Sequence, residues 1–121
     1  MNQSSYHTLG NLMALTEDAN LVMLSDIQKE SEHRYTATTT LVAHVGGTGA
    51  GRPLGGKYTP DGTLYIADGA LGLTRLKKDS SSLEIVATKA IDKDGKQTPI
   101  TFADDVTIGP KTGWVYFTDG M

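Results

Sequence analysis

Thr59-Pro60-Asp61-Gly62-Thr63-Leu64-Tyr65-Ile66-Ala67-Asp68-Gly69 is the stretch that decides the fold. Proline presets the turn angle at its second position, and glycine closes the turn before an apolar, β-branched run. That order predicts a hairpin whose second strand ends at Asp68. Toward the C-terminus a second copy follows, Gly109-Pro110-Lys111-Thr112-Gly113 and then Trp114-Val115-Tyr116-Phe117-Thr118-Asp119, one residue longer in its turn. Pro60 and Pro110 lie 50 residues apart, and Asp68 and Asp119 lie 51 apart. Toward the N-terminus a fainter copy, Asp18-Ala19-Asn20 and then Leu21-Val22-Met23-Leu24-Ser25-Asp26, places Asp26 42 residues before Asp68. Intervals of this size are those of propeller blades.

Between the copies, Leu71–Leu76 and Leu83–Thr88 read as further strands, so each repeat holds about four. The expected fold class is all-β, a partial propeller of about two to three four-stranded blades. A meandering β-sandwich whose hairpins resemble one another is the other architecture that periodicity leaves open. Gly46, Gly47, Gly49, Gly51, Gly55 and Gly56 crowd one stretch, which reads as a loop inside a single domain and not as a linker.

The 121 residues suffice for one domain. With 38% hydrophobic and 21% charged residues, disorder and collagen are excluded. Fourteen acidic against 11 basic residues give a net charge of −3, which argues against nucleic acid as a partner. No cysteine is present, so disulfides, zinc fingers and thiol chemistry are out. The longest early apolar run, Leu21–Leu24, is far short of a membrane span. Met1-Asn2-Gln3-Ser4-Ser5 lacks the basic start and apolar centre of a signal peptide, so the chain reads as unexported, with the Asn2-Gln3-Ser4 sequon unused. The compartment is not set by these features.

Gly51-Arg52-Pro53-Leu54-Gly55, Leu64-Tyr65-Ile66-Ala67-Asp68, Leu71-Gly72-Leu73, Phe102-Ala103-Asp104-Asp105-Val106 and Gly113–Asp119, in that order and spacing, resemble the strictosidine synthase-like family. That family includes the plant alkaloid synthase and the adipocyte plasma membrane-associated proteins. The resemblance implies a six-bladed β-propeller distantly related to calcium-dependent paraoxonases and lactonases, with members that often enter the endomembrane system. It divides the chain into a weakly matching blade at 1–50, a blade at 51–102 and the start of the next at 103–121. Six blades need roughly 270 residues, and the stop after Thr118-Asp119-Gly120-Met121 reads as mid-repeat. The alkaloid synthases' catalytic glutamate would lie beyond Met121. The family usually has Asn at the place of Asp104, and in paraoxonase-like relatives that Asn coordinates the central calcium. The resemblance thus makes Asp104 and Asp105 the candidate metal ligands and calcium the candidate ion of a complete propeller, although two carboxylates fall short of the six to eight oxygens it takes.

On a regular strand Asp104 and Asp105 point to opposite faces and act together only if the backbone bends there. Asp68 and Asp119 are expected to close their strands with Asx-type turns. Gly51–Lys57 falls one residue short of a phosphate loop, because Tyr58 stands where Ser or Thr is required and Pro53 deletes an amide; Arg52 and Pro53 read instead as the entry to an inner strand. Asp92-Lys93-Asp94-Gly95 reads as a hairpin turn and not a calcium loop. His7, His33 and His44 lack metal-helix spacing, and no nucleophile elbow occurs. Lys77-Lys78-Asp79 and Glu30-Ser31-Glu32 read as solvated charge, and Trp114, Tyr116 and Phe117 as packing between blades.

Two functions of different class follow. The resemblance implies a small-molecule enzyme, either a lyase that condenses an amine with an aldehyde or a metal-dependent aryl esterase. The alternative is a non-catalytic segment or binding module that needs partner blades to fold and self-associates through open blade edges.

Overall fold

The turns read from the sequence form, and two of them share the same main-chain hydrogen bonds. The computed structural model describes residues 11–120, which hold eleven strands and no helix. They are β1 (Leu12–Leu15), β2 (Asn20–Ser31), β3 (Arg34–His44), β4 (Pro53–Tyr58), β5 (Leu64–Asp68), β6 (Gly72–Leu76), β7 (Glu84–Ala87), β8 (Lys89–Ile91), β9 (Gln97–Pro99), β10 (Ala103–Ile108) and β11 (Val115–Asp119). Between β1 and β2 the Thr16 N–H donates to the Asn20 carbonyl at 2.9 Å and the Ala19 N–H to the Thr16 carbonyl at 3.0 Å. Between β4 and β5, 43 residues on, the Thr59 N–H donates to the Thr63 carbonyl at 2.8 Å and the Gly62 N–H to the Thr59 carbonyl at 2.9 Å. In both turns the threonine hydroxyl donates to the aspartate two residues later, Asp18 and Asp61. The next residue takes a positive φ, 65° at Ala19 and 89° at Gly62, which glycine adopts without a Cβ clash and alanine does not. That difference is why the first copy is the fainter one.

These hairpins build an antiparallel three-stranded sheet β1-β2-β3, a four-stranded meander β4-β5-β6-β7, and two-stranded sheets β8-β9 and β10-β11. Alternation along β5 decides how they stack. Leu64 and Ile66 bury with Leu21, Val45 and Leu76 on one side, while Ala67 buries with Leu73, Ala103 and Val106 on the other. The central meander is therefore covered on both faces, by the first sheet and by β10-β11. A two-sheet sandwich has a single buried layer; two successive layers around a four-stranded sheet are the stacking of propeller blades. The fold is all-β and has the build of a partial β-propeller. Each fully buried side chain such as Ile66 contributes about 1.5–3 kcal/mol to holding the layers together.

Four strands per repeat holds for the central sheet alone. The first sheet has three among the described residues, because β2 and β3 run for 12 and 11 residues and use the chain that elsewhere makes an extra strand. Nor is it a plain copy in its facing. Leu21 stands where Leu64 does by the offset of the turns, yet both point into the same layer from opposite sides. The β8-β9 hairpin forms at Asp92–Gly95 as expected, with the Asp92 carboxylate accepting from the Asp94 and Lys96 N–H groups at 2.9 and 2.8 Å.

Candidate functional site at the start of strand β10

The first residues of β4 and β10 and the last of β5 and β11 gather at one end of the stack, held by a bond pattern that repeats. The Arg52 N–H donates to Asp68 Oδ1 at 2.8 Å, and the Gly69 N–H returns to the Arg52 carbonyl at 2.8 Å. Fifty residues on, the Phe102 N–H donates to Asp119 Oδ1 at 2.9 Å, and the Gly120 N–H returns to the Phe102 carbonyl at 2.8 Å. Each aspartate thereby ties the end of the second strand to the start of the first. Asp68 also makes the expected Asx turn, accepting from the Ala70 and Leu71 N–H groups at 2.8 Å each. It is fully buried, and its Oδ2 has no hydrogen-bond partner among the described residues. Asp119 takes the Thr101 N–H on Oδ2 at 3.3 Å, a bond back across the hairpin in addition to that from Phe102.

Asp104 and Asp105 sit in a register break of the β10-β11 pairing, between Ala103 and Val106. The strict alternation that sends neighbouring side chains to opposite faces is interrupted there. Asp105 lies over β4, where a Cβ on Gly55 would stand 2.9 Å from its Oδ1; only glycine lets the two strands approach this closely. That oxygen accepts the Val106 N–H at 2.9 Å, and the Asp105 N–H donates to Thr118 Oγ1 at 3.2 Å. Asp104 turns elsewhere: its Oδ2 lies 3.8 Å from the Cβ position of Gly120. Both carboxylates are exposed, so what they offer chemically is two separate anionic acceptors at one end of the stack.

The calcium expectation can be set against this donor set. No group of three or more His, Cys, Asp or Glu among the described residues is placed to hold a metal ion. Two carboxylates facing different neighbours, one already accepting from Val106, do not make a calcium site by themselves.

The remaining candidates resolve simply. Gly51–Lys57 leads into strand β4 and not a helix, which removes the phosphate-loop geometry. Phe117 packs in the layer with Ala103 and Val106, but Trp114 and Tyr116 are 66% and 50% exposed, their rings 6.3 Å apart at 41°. The expectation of packing between blades therefore holds within these residues for Phe117 alone. His44 Nδ1 pairs with Asn20 Oδ1 at 3.0 Å, His33 lies at the β2-β3 turn, and His7 and the Asn2 sequon fall outside the described residues. Lys77 is exposed, as the reading of solvated charge expects, and lies 3.9 Å from Glu84, which Arg75 grips at 2.6 Å. The Arg75 guanidinium holds the Glu84 carboxyl below the usual range. Thr118 and Gly55 position Asp105, a role the sequence reading did not assign to them although both stand in motifs it quoted.

By fold and site, the chain is of the class of blade-stacked β proteins with an acidic pair at the sheet ends. No family model matches it. It is 33% identical over 69 residues to adipocyte plasma membrane-associated protein from Rattus norvegicus, 57% of this chain and 18% of that protein. It is 41% identical over 69 residues to protein strictosidine synthase-like 11 from Arabidopsis thaliana, covering 20% of that protein. With strictosidine synthase-like 12 from the same plant, the match is 32% over 111 residues, 90% of this chain and 31% of the relative. The chain thus spans less than a third of each of these relatives, and over that span its resemblance to the strictosidine synthase-like and adipocyte plasma membrane-associated proteins stands.

Proposed function

We propose that this chain supplies blades to a strictosidine synthase-like six-bladed propeller, and that the assembled protein acts on a small molecule at the end of the stack where Asp104 and Asp105 lie. The observation that carries this reading is the register break at the start of β10, which sets the exposed carboxylate of Asp105 over strand β4 and that of Asp104 beside Gly120. Condensation of an amine with an aldehyde needs a carboxylate to take protons as the iminium forms and the ring closes. The resemblance puts the synthases' catalytic glutamate beyond this chain, so Asp104 and Asp105 are proposed to contact the small molecule and not to supply that base; Asp105 Oδ1 is held by Val106. Ester hydrolysis needs a polarised carbonyl and an activated water, which calcium would supply in a propeller whose other blades complete its ligands. The test is an amine and aldehyde condensation run beside an aryl ester assay with and without calcium. Asp104→Ala should lower the rate at limiting substrate by about tenfold. A rate unchanged by that substitution removes Asp104 from contact with the small molecule.

A second reading is favoured by the exposure of large apolar side chains on the outer sheets, Leu12, Leu41, Trp114 and Tyr116 among them. In it the chain is a non-catalytic module whose sheets are completed by partner surface. Silence in both assays, with binding of a partner retained, is its expected signature. No helix among the described residues is long and apolar enough to cross a membrane.

A further inference from the structure

Strand β3 stands at the edge of its sheet, in the order β1-β2-β3, so one row of its N–H and C=O groups pairs with no strand among the described residues. Natural edges of this kind are blunted by Pro, by Lys, by brevity or by bulges, because an open edge is a template for another strand. Arg34-Tyr35-Thr36-Ala37-Thr38-Thr39-Thr40-Leu41-Val42-Ala43-His44 has few of these protections. It runs for 11 residues, contains no Pro, Gly, Lys, Asp or Glu, and carries its one arginine at the very start. Its register with β2 is unbroken from Thr38 to Leu41, so the middle of the edge is regular. Leu41 is 62% exposed there. Among the other exposed edge strands, β7 has only four residues and bears Glu84 in its ion pair with Arg75, and β8 and β9 have three residues each.

We infer that β3 pairs antiparallel with β3 of a second copy of this chain, about a two-fold axis through Thr39, joining two three-stranded sheets into one of six strands. Unpaired main-chain groups require an extended backbone as occupant, and the side chains of β3 select its own copy. Antiparallel pairing centred on Thr39 sets Arg34 against His44, Ala37 against Leu41, Thr38 against Thr40 and Thr39 against Thr39. No like charges meet, and facing threonines and apolar pairs are favourable across strands. The inference deepens the second reading above, since it names the surface and the partner that complete the chain; it rests on that reading for its motive and on the strand edge for its geometry.

The test uses sedimentation velocity on the full 121-residue chain, which has no native cysteine to interfere with single-cysteine reporters. The expected result is a dimer that Thr39→Lys weakens by at least about tenfold, because two ammonium groups are then opposed at the axis. The circular dichroism spectrum of Thr39→Lys should match the parent, which separates lost pairing from lost folding. Under mild oxidation Thr39→Cys should form a covalent dimer, while Lys93→Cys in the exposed β8-β9 turn should not. A monomeric parent, or a Thr39→Lys variant that associates as the parent does, overturns the inference. Association that survives Thr39→Lys but is lost in Trp114→Ser with Tyr116→Ser overturns β3 pairing while leaving the second reading intact. A chain that dimerises through β3 and is also active in condensation leaves the pairing standing and removes the second reading.

Discussion

At Asp68 one carboxylate oxygen takes three main-chain N–H groups inside the stack, whereas at Asp119 two are taken at the surface. Asp68→Ala would take the one acceptor from all three donors and leave a gap at a buried site, so a loss of about 3 kcal/mol or more is expected, against about 1 kcal/mol for Asp119→Ala. Urea midpoints of the two variants check the ranking. Asp61 offers a second test at this scale. Its carboxyl is held below the usual value by the Thr59 hydroxyl first and by the Thr63 N–H after it. A depressed folded value means that the unfolded chain binds the proton more readily, so the contribution is present above the ordinary aspartate range and fades as pH falls through the folded value. Stability should therefore fall below about pH 4, and less steeply in Asp61→Asn, as read from urea midpoints across pH. The turn and strand-closing roles of Asp61 and Asp68 were legible, because Asp followed by Gly beside a Pro or an apolar run has a local cause. The burial of Asp68 was not, since it depends on what is stacked around it.

Strand β10 meets β4 across Gly55, and there the behaviour of a whole element hangs on one missing Cβ. Gly55→Val should push Asp105 off its place and loosen the register break, at a cost of about 1–3 kcal/mol. Amide exchange at Val106 and at Thr118 should speed up if the break opens. Ile66→Ala in β5 tests the opposite layer. Ile66 is fully buried, so a cavity cost of about 2–5 kcal/mol is expected in a chemical melt. The hairpins β4-β5, β8-β9 and β10-β11 could be read in advance because Pro, Asp and Gly mark turns locally. The long β2-β3 ribbon could not. Its Thr-rich run has no punctuation between Arg34 and His44, and its register shifts are settled by pairing between residues as far apart as Asn20 and His44.

For the molecule as a whole, the exposed face bearing Trp114 and Tyr116 and the edge of β3, unpaired among the described residues, are the surfaces on which the proposed association would form. Association couples to folding by mass action, so the melting temperature should rise with protein concentration. Circular dichroism melts over a hundredfold dilution series, paired with light scattering, check this. A melting temperature that does not move with concentration means that the stack is stable without a partner copy. The candidate site has the same dependence on scale. Asp104 and Asp105 were named from one motif, but their separate orientations came from Gly55, Thr118 and Gly120, which belong to two other places in the chain.

The sequence by itself determined the all-β class, the repeat and the position of the turns marked by Pro, Asp and Gly, since all three follow from short-range rules of backbone angle and alternation. Only the tertiary structure decided that Asp68 is buried while Asp119 is exposed, that the central sheet is covered on both faces, and that Leu21 points toward Leu64. These depend on which sheet packs against which face, and that is a property of contacts between distant residues with no local signature.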